Sequence, residues 1–196
     1  MSPLATLLRD VAATLWKADM GFALVGGLAV SVRTEPRFTR DVDLVVDVTG
    51  DRQAEAVSRL LVPPYEVLAT LEHDELRRLA AVRFGWVGAA AAGAVVDLLF
   101  SSSGIEAEIV HAATPIAVFP QVSVPVAHTG HLLALKLLAR DERRPQDDID
   151  LRALLAVAKP SDLELTSQAI GLIVQRGANR GRDLGHEWQQ LVPKRQ

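Results

Sequence analysis

The chain has 196 residues, 49% of them apolar, a formal charge of −3 and no cysteine. That is enough apolar material for one globular unit with a sizeable core, and it excludes a disordered chain, a disulfide framework, a thiolate metal site and a cysteine nucleophile. The slight acidity argues against a surface that coats nucleic acid throughout, while leaving room for a local basic patch. Arg9, Asp10, Lys17 and Asp19 interrupt the first apolar stretch, so no signal-like core and no membrane span is expected, and the expected location is the cytoplasm.

Leu4, Leu7, Leu8, Val11 and Leu15 recur at helical spacing and predict an opening helix that ends near Gly21. Phe22 to Val25 reads as a short buried strand, Gly26 and Gly27 turn the chain, and Leu28 to Val32 resume as a helix whose first amides are unpaired. Asp41 and Asp43 open a strand that runs on through Leu44 to Val48 as an almost unbroken apolar run, the pattern of a strand covered on both faces. Asp51 to Leu61 predicts a helix with Asp51 as its cap, stopped by Pro63 and Pro64. Tyr65 to Thr70 and Leu79 to Phe84 read as strands around a helical turn, and the alanine-rich run from Gly85 to Gly93 has no clear pattern.

Ala94 to Phe100 is again a buried strand, with Asp97 at its centre, and Ile105 to Ala112 predicts a short helix. Pro115, Pro120 and Pro125 punctuate edge strands or an extended connection. From His128 the pattern is helical: Thr129 to Arg140, Asp147 to Ala158, Leu163 to Arg176 capped by Ser161, and a short helix after Arg180. Strands mixed with helices, followed by helices alone, predict an α/β (α+β) chain: a mixed β-sheet core over 1–127 and a helical C-terminal lobe over 128–196.

The chemistry concentrates between Ala23 and Val48. Side chains two apart on a strand share a face, so Asp41 and Asp43 lie close enough to share divalent cations. A helix that starts after a glycine pair offers bare amides and its positive dipole end to a phosphate. Phosphate chemistry needs both parts, a cradle for the oxyanions and carboxylates that hold a divalent ion. Asp97, inside an apolar strand, needs a partner and makes a third acidic group for the same cations. Each feature has a plainer alternative: backbone geometry for the glycines, a solvated strand end or cap for Asp41 and Asp43, a salt bridge to a buried arginine such as Arg83 for Asp97.

Other residues point less sharply. His128 and His131, three apart at a helix start, read as a surface pair rather than a zinc site. Ser101, Ser102 and Ser103 read as a polar turn before a helix rather than a phosphate loop. Arg176, Arg180 and Arg182 with Lys194 and Arg195 form either a basic edge for RNA or a solvated run.

The glycine turn followed by Arg37, Thr39, Asp41 and Asp43 in the pattern R-x-T-x-D-x-D resembles the nucleotidyltransferase superfamily with a DNA polymerase β type of core. It looks most like the small bacterial AbiEii-like, toxin-type members, although Gly26 and Gly27 stand where the superfamily usually has a glycine-serine pair. The likeness extends to Lys136 in HLLALKLLAR, to Arg140, and to Arg144, Asp147 and Asp150 in RPQDDID, where Gln146 replaces a lysine. The resemblance implies that Asp41, Asp43 and Asp97 bind Mg²⁺ or Mn²⁺, and that Asp97 also helps deprotonate the attacking hydroxyl. It implies further that Gly26, Gly27, Arg37, Thr39, Lys136, Arg140 and Asp147 serve the nucleotide. Lys136 and Arg140, four apart, share a helix face that is either phosphate-binding or salt-bridged. Asp147 either orients Lys136 or a nucleotide group, or caps a helix.

The expected activity is transfer of a nucleoside monophosphate from a nucleoside triphosphate to a hydroxyl or RNA acceptor, with tRNA among the candidates and an antitoxin protein as the expected partner. A non-catalytic nucleotide- or partner-binding protein on the same scaffold is the alternative, as is a transferase that modifies a small molecule such as an antibiotic.

Overall fold

The computed structural model describes residues 2–73, 78–87, 94–141 and 145–192. Helix α1 (Pro3–Lys17) is capped by Ser2, whose hydroxyl accepts from the Ala5 amide at 3.2 Å, and it buries the predicted stripe of Leu7, Leu8, Val11 and Leu15. Asp19, with φ of 54°, turns the chain into β1 (Phe22–Val25), which is buried along its whole length. Helix α2 (Gly26–Arg33) follows without a loop. It begins at Gly26 rather than at Leu28, because a residue with φ of +65° turns the strand directly into the helix.

Strand β2 (Asp41–Val46) and α3 (Asp51–Leu60) match their predicted places, but Asp51 is not the cap. Gly50 holds that position, and the Asp51 carboxylate accepts the Leu79 amide at 3.2 Å instead. Strands β3 (Tyr65–His73) and β4 (Arg78–Trp86) pair antiparallel; the helical turn expected between them, and most of the alanine-rich run, lie outside the described residues. Next come β5 (Val95–Leu99), α4 (Glu106–Ala112), β6 (Thr114–Phe119) and β7 (Val122–Val126). Ser101 to Ser103 make the expected polar turn, in which Glu106 accepts from the amides and hydroxyls of Ser102 and Ser103.

The helices that follow are α5 (Thr129–Ala139), α6 (Pro145–Val157), α7 (Pro160–Gln175) and α8 (Leu184–Leu191). Ser161 does not cap α7: Lys159 occupies that position, and its amide donates to the Asp162 carboxylate at 2.9 Å. His131 is not a surface residue either. It is 3% exposed, and burial pushes its pKa down to about 4. The arginines near the C-terminus are internal staples: Arg176 pairs with Glu108 at 2.6 Å, and Arg182 pairs with Glu187 while donating to the carbonyls that end α5. Lys194 and Arg195 lie outside the described residues.

The strands form one seven-stranded mixed sheet in the order β3-β4-β5-β2-β1-β7-β6. Its centre is apolar, with Ala23, Leu24, Val42, Leu44, Val96 and Leu98 fully buried, and one continuous core joins it to the helices. Among the described residues no helix is long and apolar enough to cross a membrane.

Candidate active site

Sheet register brings the acidic residues together. β2 and β5 run parallel with Asp43 opposite Asp97, so two carboxylates on different strands stand on one face as neighbours. Asp41, two residues before Asp43, is on the same face of β2, while Val42 and Leu44 between and beyond them are fully buried on the other. β1 lies on the far side of β2 with Val25 opposite Asp43, so the chain enters α2 directly over that carboxylate. A Cβ on Gly26 would stand 1.9 Å from Asp43 Oδ2, a place only glycine allows. Burial first, then Asp97 and Asp41, push the Asp43 carboxyl up to about 7, while Lys136 and Arg83 act in the opposite sense.

Asp97 already has a partner. On β4, which pairs antiparallel with β5, Arg83 is in register with Asp97 and grips both its oxygens, Nε to Oδ1 at 2.8 Å and Nη2 to Oδ2 at 2.7 Å. The arginine was expected to be buried, but its side chain is 45% exposed. The pairing raises the already high pKa of Arg83 further. Among the described residues no three acidic or histidine side chains are placed, as they stand, to hold a metal ion.

On the other side of α2, a second charged group is built around Asp150, whose side chain is 1% exposed. Its Oδ2 accepts Arg37 Nη2 at 2.8 Å and Lys136 Nζ at 2.8 Å, and its Oδ1 accepts Gln146 Nε2 at 3.0 Å. Burial raises the Asp150 pKa, but the bonds from Lys136, Gln146 and Arg37 outweigh it and hold the group below the usual carboxylate range. Lys136 also pairs with Asp147 at 2.8 Å, so Asp147 orients the lysine and is not a helix cap. Arg37 and Thr39 pack over Gly27, where a Cβ would stand 2.6 Å from Arg37 Nη2. Arg140 stays apart: it is the residue after the last turn of α5, no longer on the lysine's helical face, and it pairs with Asp148. Arg144 lies outside the described residues.

The structure therefore assembles Gly26, Gly27, Arg37, Thr39, Asp41, Asp43, Asp97, Lys136 and Asp147 at one end of α2. Asp150 had no assigned role in the sequence, and Arg83 only that of an alternative partner for Asp97, which the structure bears out. Asp150 was legible in principle, since it stands three after Asp147 and shares its helical face. Strand register explains why Arg83 is the arginine that meets Asp97.

No curated protein matches the chain significantly. Among solved structures, an antigenic nucleotidyltransferase-like protein from Paracoccidioides brasiliensis superposes with a TM-score of 0.57 at 18% identity, covering 95% of this chain and 92% of that one. ANT(2")-Ia, in complex with adenylyl-2"-tobramycin, gives a TM-score of 0.55 at 17% identity over 89% of this chain and 98% of that one. At such identities the likeness is one of fold, and the fold is that of the nucleotidyltransferases. The family model for the nucleotidyl transferase AbiEii toxin of type IV toxin-antitoxin systems matches residues 7–195, and the chain belongs to that family.

Proposed function

We propose that the chain is a divalent-metal-dependent nucleotidyltransferase that moves a nucleoside monophosphate from a nucleoside triphosphate to an RNA hydroxyl, a tRNA end among them, and acts as the toxin of a toxin-antitoxin pair. The observation that carries the reading is the register of Asp43 against Asp97 on parallel strands, with Asp41 on the same face. Three hard oxygen donors suit Mg²⁺ or Mn²⁺. Asp43, crowded by two other acids and held near 7, is a carboxylate that a cation would return to its charged form. When bound, the metal would offset charge on the transferring phosphoryl group and lower the pKa of the acceptor hydroxyl.

The protein's own residues supply the rest. Asp41, Asp43 and Asp97 would hold the metal, and the Gly26 and Gly27 amides with Lys136 would hold the triphosphate. The acceptor oxygen bonds to the α-phosphorus as the bond to the α,β-bridging oxygen breaks, pyrophosphate leaves in line, and the acceptor's proton passes to Asp97. Asp147 and Asp150 orient Lys136, and Arg37 and Thr39 shape the entrance. Asp97 takes up its role only when Arg83 gives up at least one of its oxygens.

Arg83 and a metal thus compete for the same ligand. Arg83→Gln is expected to bind Mn²⁺ roughly threefold to tenfold more tightly by calorimetry and to melt lower without metal, each effect corresponding to about 1 kcal/mol for a half-exposed pair. Equal Mn²⁺ affinity in the two proteins would show that Arg83 and the metal do not share Asp97.

The reading is tested with labelled triphosphates and Mg²⁺ or Mn²⁺ against tRNA, protein and small alcohols. Label is expected on RNA with the wild type and on nothing with Asp41→Ala, and growth arrest on induced expression should vanish with the same substitution. Label on no acceptor, with no triphosphate bound, defeats the reading. Arg83's grip on Asp97 favours a second one, a nucleotide-binding protein without turnover. Triphosphate binding indifferent both to metal removal and to Asp97→Asn would select it.

A further inference from the structure

Residues 35–40 run without regular structure between α2 and β2, and their side chains alternate. Arg37 and Thr39 turn inward onto Gly27. Phe38, between them, turns outward and is 77% exposed, the highest exposure among the large apolar side chains described. The Arg40 guanidinium lies 5.3 Å from the centre of its ring. Among the described residues Arg40 forms no ion pair, and its contact is with the Phe38 ring.

An aromatic ring left in water contributes almost nothing to folding, yet the backbone that carries this one is fixed. Arg37 Nη1 donates to the Phe38 carbonyl at 3.2 Å, while Nη2 of the same guanidinium pairs with Asp150, which in turn holds Lys136. The exposed ring is therefore tied to the group that orients the lysine. It stands three residues before Asp41, within about 10 Å along an extended chain.

From this arrangement we infer that Phe38, flanked by Arg40, is a stacking platform for a nucleobase at the mouth of the site. A flat ring beside a guanidinium is the surface on which bases stack, and it accepts any base because each has a π-face. The base belongs either to the donor triphosphate or to a nucleotide of the acceptor. The inference rests on the nucleotide-site reading above.

The test is binding, not turnover. Calorimetry with the wild type, Phe38→Ala and Phe38→Tyr is run against ATP, inorganic tripolyphosphate and a short single-stranded RNA. Phe38→Ala is expected to weaken a base-bearing ligand by about tenfold, Phe38→Tyr to restore it, and tripolyphosphate to bind all three proteins alike. A loss confined to ATP assigns the donor base, and one confined to RNA the acceptor base. The indole introduced by Phe38→Trp should be quenched by the same ligand and not by tripolyphosphate. If the wild type and Phe38→Ala bind ATP and RNA equally, the platform is overturned while the nucleotide site stands. If the wild type binds neither ATP nor tripolyphosphate, both ideas fall together.

Discussion

In metal-free buffer above pH 7, Asp43→Asn melts higher than the wild type, and the order inverts once Mg²⁺ is supplied. Asp43 is forced to carry charge beside Asp41 and Asp97 in a buried position, and its pKa rises from 3.8 to about 7. From about pH 4 to pH 7 the folded protein therefore binds a proton that the unfolded chain has released, so stability falls as pH rises through that window and the cost is complete above it. Asparagine keeps the shape and removes the charge. The gain is expected to be at least about 1 kcal/mol, roughly 2–4 °C for a chain of this size, and to fade as pH drops to about 4 and below, where the unfolded chain takes up the same proton. Mg²⁺ should stabilise the wild type by mass action and leave the variant almost unmoved. Nucleotide transfer by the variant should fall to background. Thermal unfolding in EDTA at pH 4, 6 and 8 checks the sign, and equal melting at all three would mean that the carboxylates do not strain one another.

Gly26→Ala has the second large effect. The new methyl would stand 1.9 Å from Asp43 Oδ2 and 2.5 Å from Cγ, and the residue has φ of +65°. The backbone alone costs about 1–2 kcal/mol for a residue with a side chain, and the carboxylate must also leave its place. A loss of about 2 kcal/mol or more is expected, with transfer activity down at least about a hundredfold because the proposed metal ligand Asp43 must move. Adding Asp43→Ala to Gly26→Ala should recover much of the stability and none of the activity, the non-additivity of two groups in contact. Additive losses in that cycle would place the strain elsewhere.

The elements that position the site were legible where periodicity was strong. α1 carries a regular apolar stripe, and β1, β2 and β5 are short runs with no polar interruption except the aspartates themselves. Helix starts were less legible. Asp51, Ser161 and Asp147 each looked like a cap, because a cap is defined by where the first turn begins, and a shift of one or two residues moves a carboxylate from the cap into the helix. Asp51 and Asp147 then found partners on other segments, Leu79 and Lys136. Arg83 was one of the partners the sequence offered Asp97; that it is the one depends on which residues oppose each other across β4 and β5, which no local pattern encodes. His131 looked exposed because a helix start usually is; α7 packing over α5 buries it.

The bond from Arg37 to Asp150 joins residues 113 positions apart, and β1, beside the central strand β2, pairs with β7, which ends at Val126. Synthesis delivers the aspartate pair and the glycine turn early, but the lysine and the carboxylate that orient around them come last. A ribosome must therefore release more than three quarters of the chain before these charges can meet, and a nascent or truncated product carries the Asp-x-Asp signature without a formed site. A chain interrupted before Asp150 therefore lacks the carboxylate that holds both Arg37 and Lys136 in place.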